Sequence, residues 1–114
     1  MSDTVKLAAF LVADVSTAHI SESDNSLLRE DSQWYLAPAS VRGTRLHVCP
    51  KDRGWWVWAN DDPEMRKEAR THLSRRGYSE ALLNLIDLAA ARQCDWICLD
   101  ADGVQRSDLP TFDW

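Results

Sequence analysis

A single α+β domain is what this sequence predicts: a mixed or mainly antiparallel sheet of four to five strands, with helices packed mainly on one face. Three observations carry it. Two short runs rich in aliphatic and aromatic residues, Arg45–Cys49 and Trp55–Ala59, flank a segment with turn chemistry. Two capped stretches with helical spacing follow, opening at Asp62 and at Ser79. A last apolar run, Trp96–Leu99, ends in Asp100-Ala101-Asp102-Gly103.

Taken in order, Val5–Val15 is aliphatic without clean alternation, which predicts a central strand covered on both faces. Ser21-Glu22-Ser23-Asp24 offers an N-cap and first-turn acids, so a helix of about three turns should follow, with Leu27, Leu28, Trp34 and Tyr35 on one face. Pro38 and Gly43 bracket a loop. The hairpin then takes a five-residue connection, Pro50–Gly54.

Asp62 before Pro63 starts a surface helix with a narrow apolar stripe of Met65, Ala69, His72 and Leu73, and Gly77 ends it. Ser79 caps a second helix in which Leu82, Leu83, Leu85, Ile86, Leu88 and Ala89 predict the main packing on the sheet. Asp95–Asp100 is the last firm strand, and Leu109–Trp114 reads as an added edge strand. Phe112 and Trp114, worth roughly 1.5–3 kcal/mol each when buried, predict a docked C-terminus.

Composition bounds the class. The 114 residues form one domain, 1–114, able to bury about two thirds of its unfolded surface. Hydrophobic residues at 45% and charged residues at 27% exclude a disordered or fibrous chain. The apolar stretch Leu7–Ala13 is too short to span a bilayer and lacks the basic flank and cleavage site of a secretory leader, so no membrane association and a cytoplasmic location are expected. Three cysteines without zinc spacing suit a reducing compartment.

Charge is polarised. Pro63–Arg76 carries five basic residues against two acids, whereas Ser79–Trp114 sets seven acids against two arginines, within a net charge of −5. Acidic bulk argues against a general nucleic-acid binder, which draws affinity from neutralising phosphates. It leaves open a basic protein partner, although an acidic surface that simply keeps the protein soluble is the reading we take.

The chemistry-bearing residues are few. His19 follows the first strand, a position suited to a general base or metal ligand, although a hydrogen-bonded structural role is the reading we take. Asp100 and Asp102 would approach His19 and Asp14 if their strand ran parallel to the first, and such a cluster could hold a divalent cation. Asp-x-Asp-Gly is equally common turn chemistry, and no Glu completes a calcium loop. Cys94 and Cys98 would stand roughly 13 Å apart if extended at about 3.3 Å per residue, which makes Cys98 a small buried hydrophobe rather than a ligand. No nucleophile elbow, catalytic triad order, phosphate loop or dinucleotide fingerprint is present. No cofactor and no metal are called for.

Trp55, Trp56 and Trp58 are the stronger signal. Alternation sends Trp56 and Trp58 to one face and Trp55, Val57 and Ala59 to the other, so both faces carry aromatic area and one must find cover outside the core. A helix would supply it, or the face is an interaction surface beside Lys51 and Arg53.

Ser16-Thr17-Ala18-His19-Ile20, the aromatic hairpin, and Trp96–Gly103 leading to Leu109-Pro110-Thr111-Phe112-Asp113-Trp114 resemble an uncharacterised bacterial family classed as a domain of unknown function. Its members are short proteins, frequently encoded on plasmids, prophages and other mobile elements. Asp61–Arg76 is longer here than in that pattern. The resemblance carries no assigned activity and no catalytic residue. It implies a mobile-element setting, in which small acidic proteins bind and block host machinery such as restriction or CRISPR nucleases.

The expected function is therefore non-enzymatic protein binding to a host partner, possible anti-defence activity included, with Trp55, Trp56, Trp58, Arg53, Asp100 and Asp102 as the binding residues. A small metal-dependent hydrolase centred on His19, Asp14, Asp100 and Asp102 is the alternative. A self-associating domain with the aromatic face as a homodimer interface is the third reading.

Overall fold

Helices begin in this chain where a short polar side chain can accept the first free backbone N–H groups, and the computed structural model, which describes residues 9–43 and 45–114, shows three α-helices that start so. Ser21 caps α1 (Glu22–Ser32) in a reciprocal capping box with Asp24. Asp62 caps α3 (Pro63–Arg76), with Pro63 in its first turn and Gly77 at φ 110° closing it. Ser79 caps α4 (Glu80–Ala91). A short helix, α2 (Ala39–Arg42), occupies what the sequence presents as a loop between Pro38 and Gly43.

Among the described residues the sheet has four strands: β1 (Val12–Ser16), β2 (Val48–Lys51), β3 (Gly54–Trp58) and β4 (Trp96–Asp100), in the order β1-β4-β3-β2. β1 runs parallel to β4, while β3 is antiparallel to both β4 and β2, so the sheet is mixed. The chain is an α+β domain, as its patterning predicts. Among the described residues, no helix is long and apolar enough to cross a membrane.

Four expectations need correction. β1 lies at an edge of the described sheet and not at its centre, because only β4 pairs with it; Val12 and Asp14 are exposed, and residues 5–8 of the expected strand lie outside the described residues. An unalternating apolar run did not mean cover on both faces. The hairpin connection is Asp52-Arg53 rather than five residues, since Lys51 already pairs with Gly54 and Arg53 takes the left-handed turn conformation at φ 59°. Trp34 and Tyr35 lie beyond the end of α1, in the turn that follows it.

The fourth correction concerns the C-terminal segment, which adds no strand. Its bonds go elsewhere: Phe112 N–H donates to Ala18 C=O at 2.9 Å, and the Trp114 indole donates to Ile20 C=O at 2.8 Å. Pro110 has no N–H to offer a sheet ladder. The end of the chain is docked as expected, but by these bonds onto the turn after β1, with Trp114 still 52% exposed.

The core lies on one side of the sheet. Val15, Val48, Val57, Ile97 and Leu99 point into it, and Leu28, Leu73, Leu82, Leu83, Leu85, Ile86 and Ala89 close it from α1, α3 and α4. Burying these side chains stabilises by about 25 cal/mol for each Å² of apolar surface removed from water. Two buried aspartates pin the helices over that core. Asp24 accepts from Ser79 N–H at 2.9 Å and from Ser79 Oγ, joining the starts of α1 and α4. Asp31 accepts from Arg76 at 2.5 Å, Tyr78 Oη at 2.6 Å and Leu46 N–H at 3.2 Å. Burial and that same hydrogen bond hold the Tyr78 phenol far above its ordinary pKa.

Candidate functional site

Alternation along the strands, combined with their register, decides which side chains share the second face. Trp56 stands opposite Cys49 and Cys98, Trp58 stands opposite Trp96, and Asp14 stands opposite Cys98. Asp14, Cys49, Trp56, Trp58, Trp96 and Cys98 therefore form one surface, and every one of them keeps contact with solvent. The buried residues of the helices all serve the other face. This is the open face of the sheet.

The aromatic rings on it are ordered by one another. Trp96 meets Trp58 edge to face with ring centroids 5.0 Å apart, and His47 meets Trp96 in the same manner at 5.5 Å. The Trp58 indole donates to Asp61 Oδ1 at 3.1 Å. Burial, and then the positive charge of Arg42, lower the pKa of His47 below its ordinary 6.5. Burial raises the thiol pKa of both Cys49 and Cys98, so neither is poised as a nucleophile. Cys98 is half-buried on the open face, a correction to its expected burial; the buried cysteine is Cys94.

At the turn end of this face Lys51 pairs with Asp100, and Arg53 Nη1 donates to Asp102 Oδ2 at 2.9 Å. The Lys51 ammonium lowers the Asp100 carboxyl pKa, and Asp100 raises that of Lys51. Gly54 is required just here. A Cβ at that position would lie 1.8 Å from the Leu99 carbonyl oxygen, so only glycine lets β3 approach β4.

A family model for the C-terminal domain of DUF5983, a family of unknown function, matches residues 12–114. The chain belongs to this family. No curated protein and no solved structure matches it. The matched stretch of this DUF5983 domain starts at the first residue of β1 and takes in the whole described sheet and the docked C-terminal segment.

The expected binding residues divide within that frame. Trp56 and Trp58 lie on the open face, whereas Trp55 lies on the covered one, packed against the core with its indole donating to Asn25 Oδ1 at 2.8 Å. Arg53, Asp100 and Asp102 gather at the turn as two ion pairs. Trp96 and His47 belong to the same surface and were not found by sequence reasoning, whereas Lys51 lies beside it as the sequence suggested. Their alternation was visible, but the register that places Trp96 beside Trp58 is set between positions 38 apart in the chain and leaves no local mark.

His19 and the acids are not brought together. β1 and β4 are parallel as the cluster required, but Asp100 is engaged by Lys51 and Asp102 by Arg53. His19 is 2% exposed, and both its nitrogens are used: Nε2 accepts from Arg106 N–H at 2.8 Å, which leaves Nδ1 to donate to Pro110 C=O at 2.6 Å. Among the described residues, no group of three or more His, Cys, Asp or Glu side chains could hold a metal ion. His19 in the DUF5983 domain clamps the C-terminal segment.

Proposed function

We propose that this DUF5983 domain is a non-catalytic protein-binding module, of the mobile-element type, that acts in the cytoplasm by covering part of a host protein with the open face of its sheet. The observation that carries the reading is the placement of Trp56, Trp58 and Trp96 on the face without helical cover. Tryptophan supplies large, stiff contact area and is enriched among interface residues that carry binding energy. All three rings are half-buried, and the apolar area they still show to solvent lies together on one face.

Charge selects the kind of partner. Asp14 is exposed on the face itself, Asp102 stands at its turn end, and the whole chain carries −5. A protein surface with an apolar centre and a basic rim complements this arrangement. A phosphate backbone does not. The reading includes inhibition of a host defence nuclease by direct contact, since basic surfaces that bind nucleic acid fit the same description.

The test is capture from bacterial lysate with the wild type and with Trp56→Ala, followed by reconstitution of the captured protein from purified components. The expected result is one basic protein bound by the wild type and bound at least about tenfold more weakly by the variant. Equal binding by both chains contradicts the proposal, as does recovery of nucleic acid alone. A concentration-dependent dimer in solution, abolished by Trp56→Ala, would replace it with self-association.

A further inference from the structure

A cavity of about 370 Å³ lies between α3, α4 and the segment that leads into β2, away from the centre of the open sheet face. Its size falls within the range of small-molecule sites, about 300–1,000 Å³. Leu46, Leu73, Leu83 and Ile86 form an apolar wall, and Arg42, Arg45, Arg66 and Arg70 stand around it. These four cations are not equally occupied.

Arg70 is saturated, donating to Asp87 at 2.5 Å, Glu80 at 2.7 Å and Asn84 at 2.9 Å. Arg66 donates to Asp61 C=O at 3.1 Å and lies 3.6 Å from Asp87. Arg42 donates only to a neutral acceptor, Ala37 C=O, at 2.9 Å. Arg45 lies over the Trp34 ring at 4.3 Å, and its Nε is buried with no hydrogen-bond partner. Among the described residues, neither Arg42 nor Arg45 has a carboxylate within ion-pair distance.

A buried guanidinium N–H without an acceptor is unfavourable and is rare in folded proteins. Asp61, Glu68 and Asp87 line the cavity too, but Asp87 pairs with Arg66 and Arg70, Glu68 lies 4.0 Å from His72 and Asp61 accepts from the Trp58 indole, so the two cations left without a carboxylate, Arg42 and Arg45, select a ligand with matching parts.

We propose that this cavity binds a small organic anion, with an apolar ring body on the Leu46, Leu73, Leu83 and Ile86 wall and its charged group between Arg42 and Arg45. The charged group is a carboxylate or a phosphate monoester, both of which accept from a guanidinium fork. The site shares His47 and Trp58 with one end of the open sheet face, but it requires neither a protein partner nor Trp56. Met65, 60% exposed, lies at its rim.

The experiment is an amide and methyl NMR titration of the full chain with naphthoate, with adenosine monophosphate and with the neutral isostere naphthalenemethanol. Saturable shifts confined to the Trp58 indole and the Leu83 and Ile86 methyl groups are expected from one of the two anions, and which one saturates identifies the charged group. The neutral compound should bind about tenfold more weakly, as should the anion to Arg45→Gln. Because Arg45 also stacks on Trp34, the exposed rim gives a second pair: Met65→Glu should weaken anion binding and Met65→Lys should tighten it. The proposal is overturned if neither anion shows saturable shifts in the millimolar range, if the neutral compound binds as tightly, or if both Met65 variants bind alike.

Discussion

Trp58 and Trp96 meet edge to face at 5.0 Å on the side of the sheet that no buried helix residue covers. Their neighbour Trp55, one position from Trp56 in the chain, lies on the opposite side and donates to Asn25 in α1. Two adjacent tryptophans thus have different physical roles. One packs the fold and the other meets solvent.

That division predicts different costs for the same change. Trp55→Ala removes core packing and the bond to Asn25, and should destabilise by about 3–5 kcal/mol. Trp56→Ala should cost less than about 1.5 kcal/mol, because Trp56, although half-buried, does not pack against the core cluster. Urea unfolding monitored by circular dichroism measures both, and equal losses would contradict the assignment of faces.

Asp31 should be among the residues least tolerant of substitution. It is wholly buried and receives Arg76, Tyr78 and Leu46, so Asp31→Ala leaves a cation, a phenol and a backbone N–H without their acceptor. A loss of about 3–5 kcal/mol is expected, in the range for breaking one partner of a buried pair. Denaturant midpoints of Asp31→Ala and of the double variant with Arg76→Met measure it, and the double variant should recover part of the loss.

His19→Ala should free the C-terminal segment before it unfolds the domain. The substitution removes the acceptor for Arg106 N–H and the donor to Pro110 C=O, at about 1–3 kcal/mol for the stranded groups. Hydrogen exchange at the Phe112 amide should accelerate strongly while the α4 amides keep their protection. Uniform acceleration across the chain would show that His19 supports the core instead.

Stability should fall on mild acidification, and His47 should account for part of the slope. Its folded pKa lies below the ordinary 6.5, so the unfolded chain takes up the proton first. The contribution is unchanged above 6.5 and is lost as pH falls from there toward the folded value. Asp100 acts lower: its pKa is held below the ordinary 3.8 by Lys51, so its stabilisation persists above 3.8 and disappears as pH falls through the folded value. Thermal midpoints between pH 7 and about 5 should decline less steeply for His47→Gln than for the wild type.

Much of the helical layer was legible because its signals are local. Ser21, Asp62, Ser79 and Gly77 each act within a turn of their own position, and each starts or stops a helix where the sequence places it. The sheet was legible in content but not in order. Nothing in Val12–Ser16 states that β4 is its one partner among the described strands, and nothing near Trp58 announces Trp96. Arg53 hid the true turn, since left-handed backbone is expected of glycine, asparagine or aspartate rather than arginine. Leu109–Trp114 has strand-like composition, yet its donors were spent on Ala18 and Ile20. The candidate site follows the same rule. Trp56 and Trp58 could be named from alternation, while Trp96, His47 and the cations of the cavity depend on register and on helix placement.

The central claim is that the open sheet face meets a second protein, and photo-crosslinking inside bacterial cells tests it most directly. A benzoyl-phenylalanine placed at position 56, on that face, is compared with one at position 67, on the exposed side of α3. The account predicts a discrete adduct with one basic protein from position 56 and none from position 67. No adduct from position 56, or the same adduct from both, would contradict it.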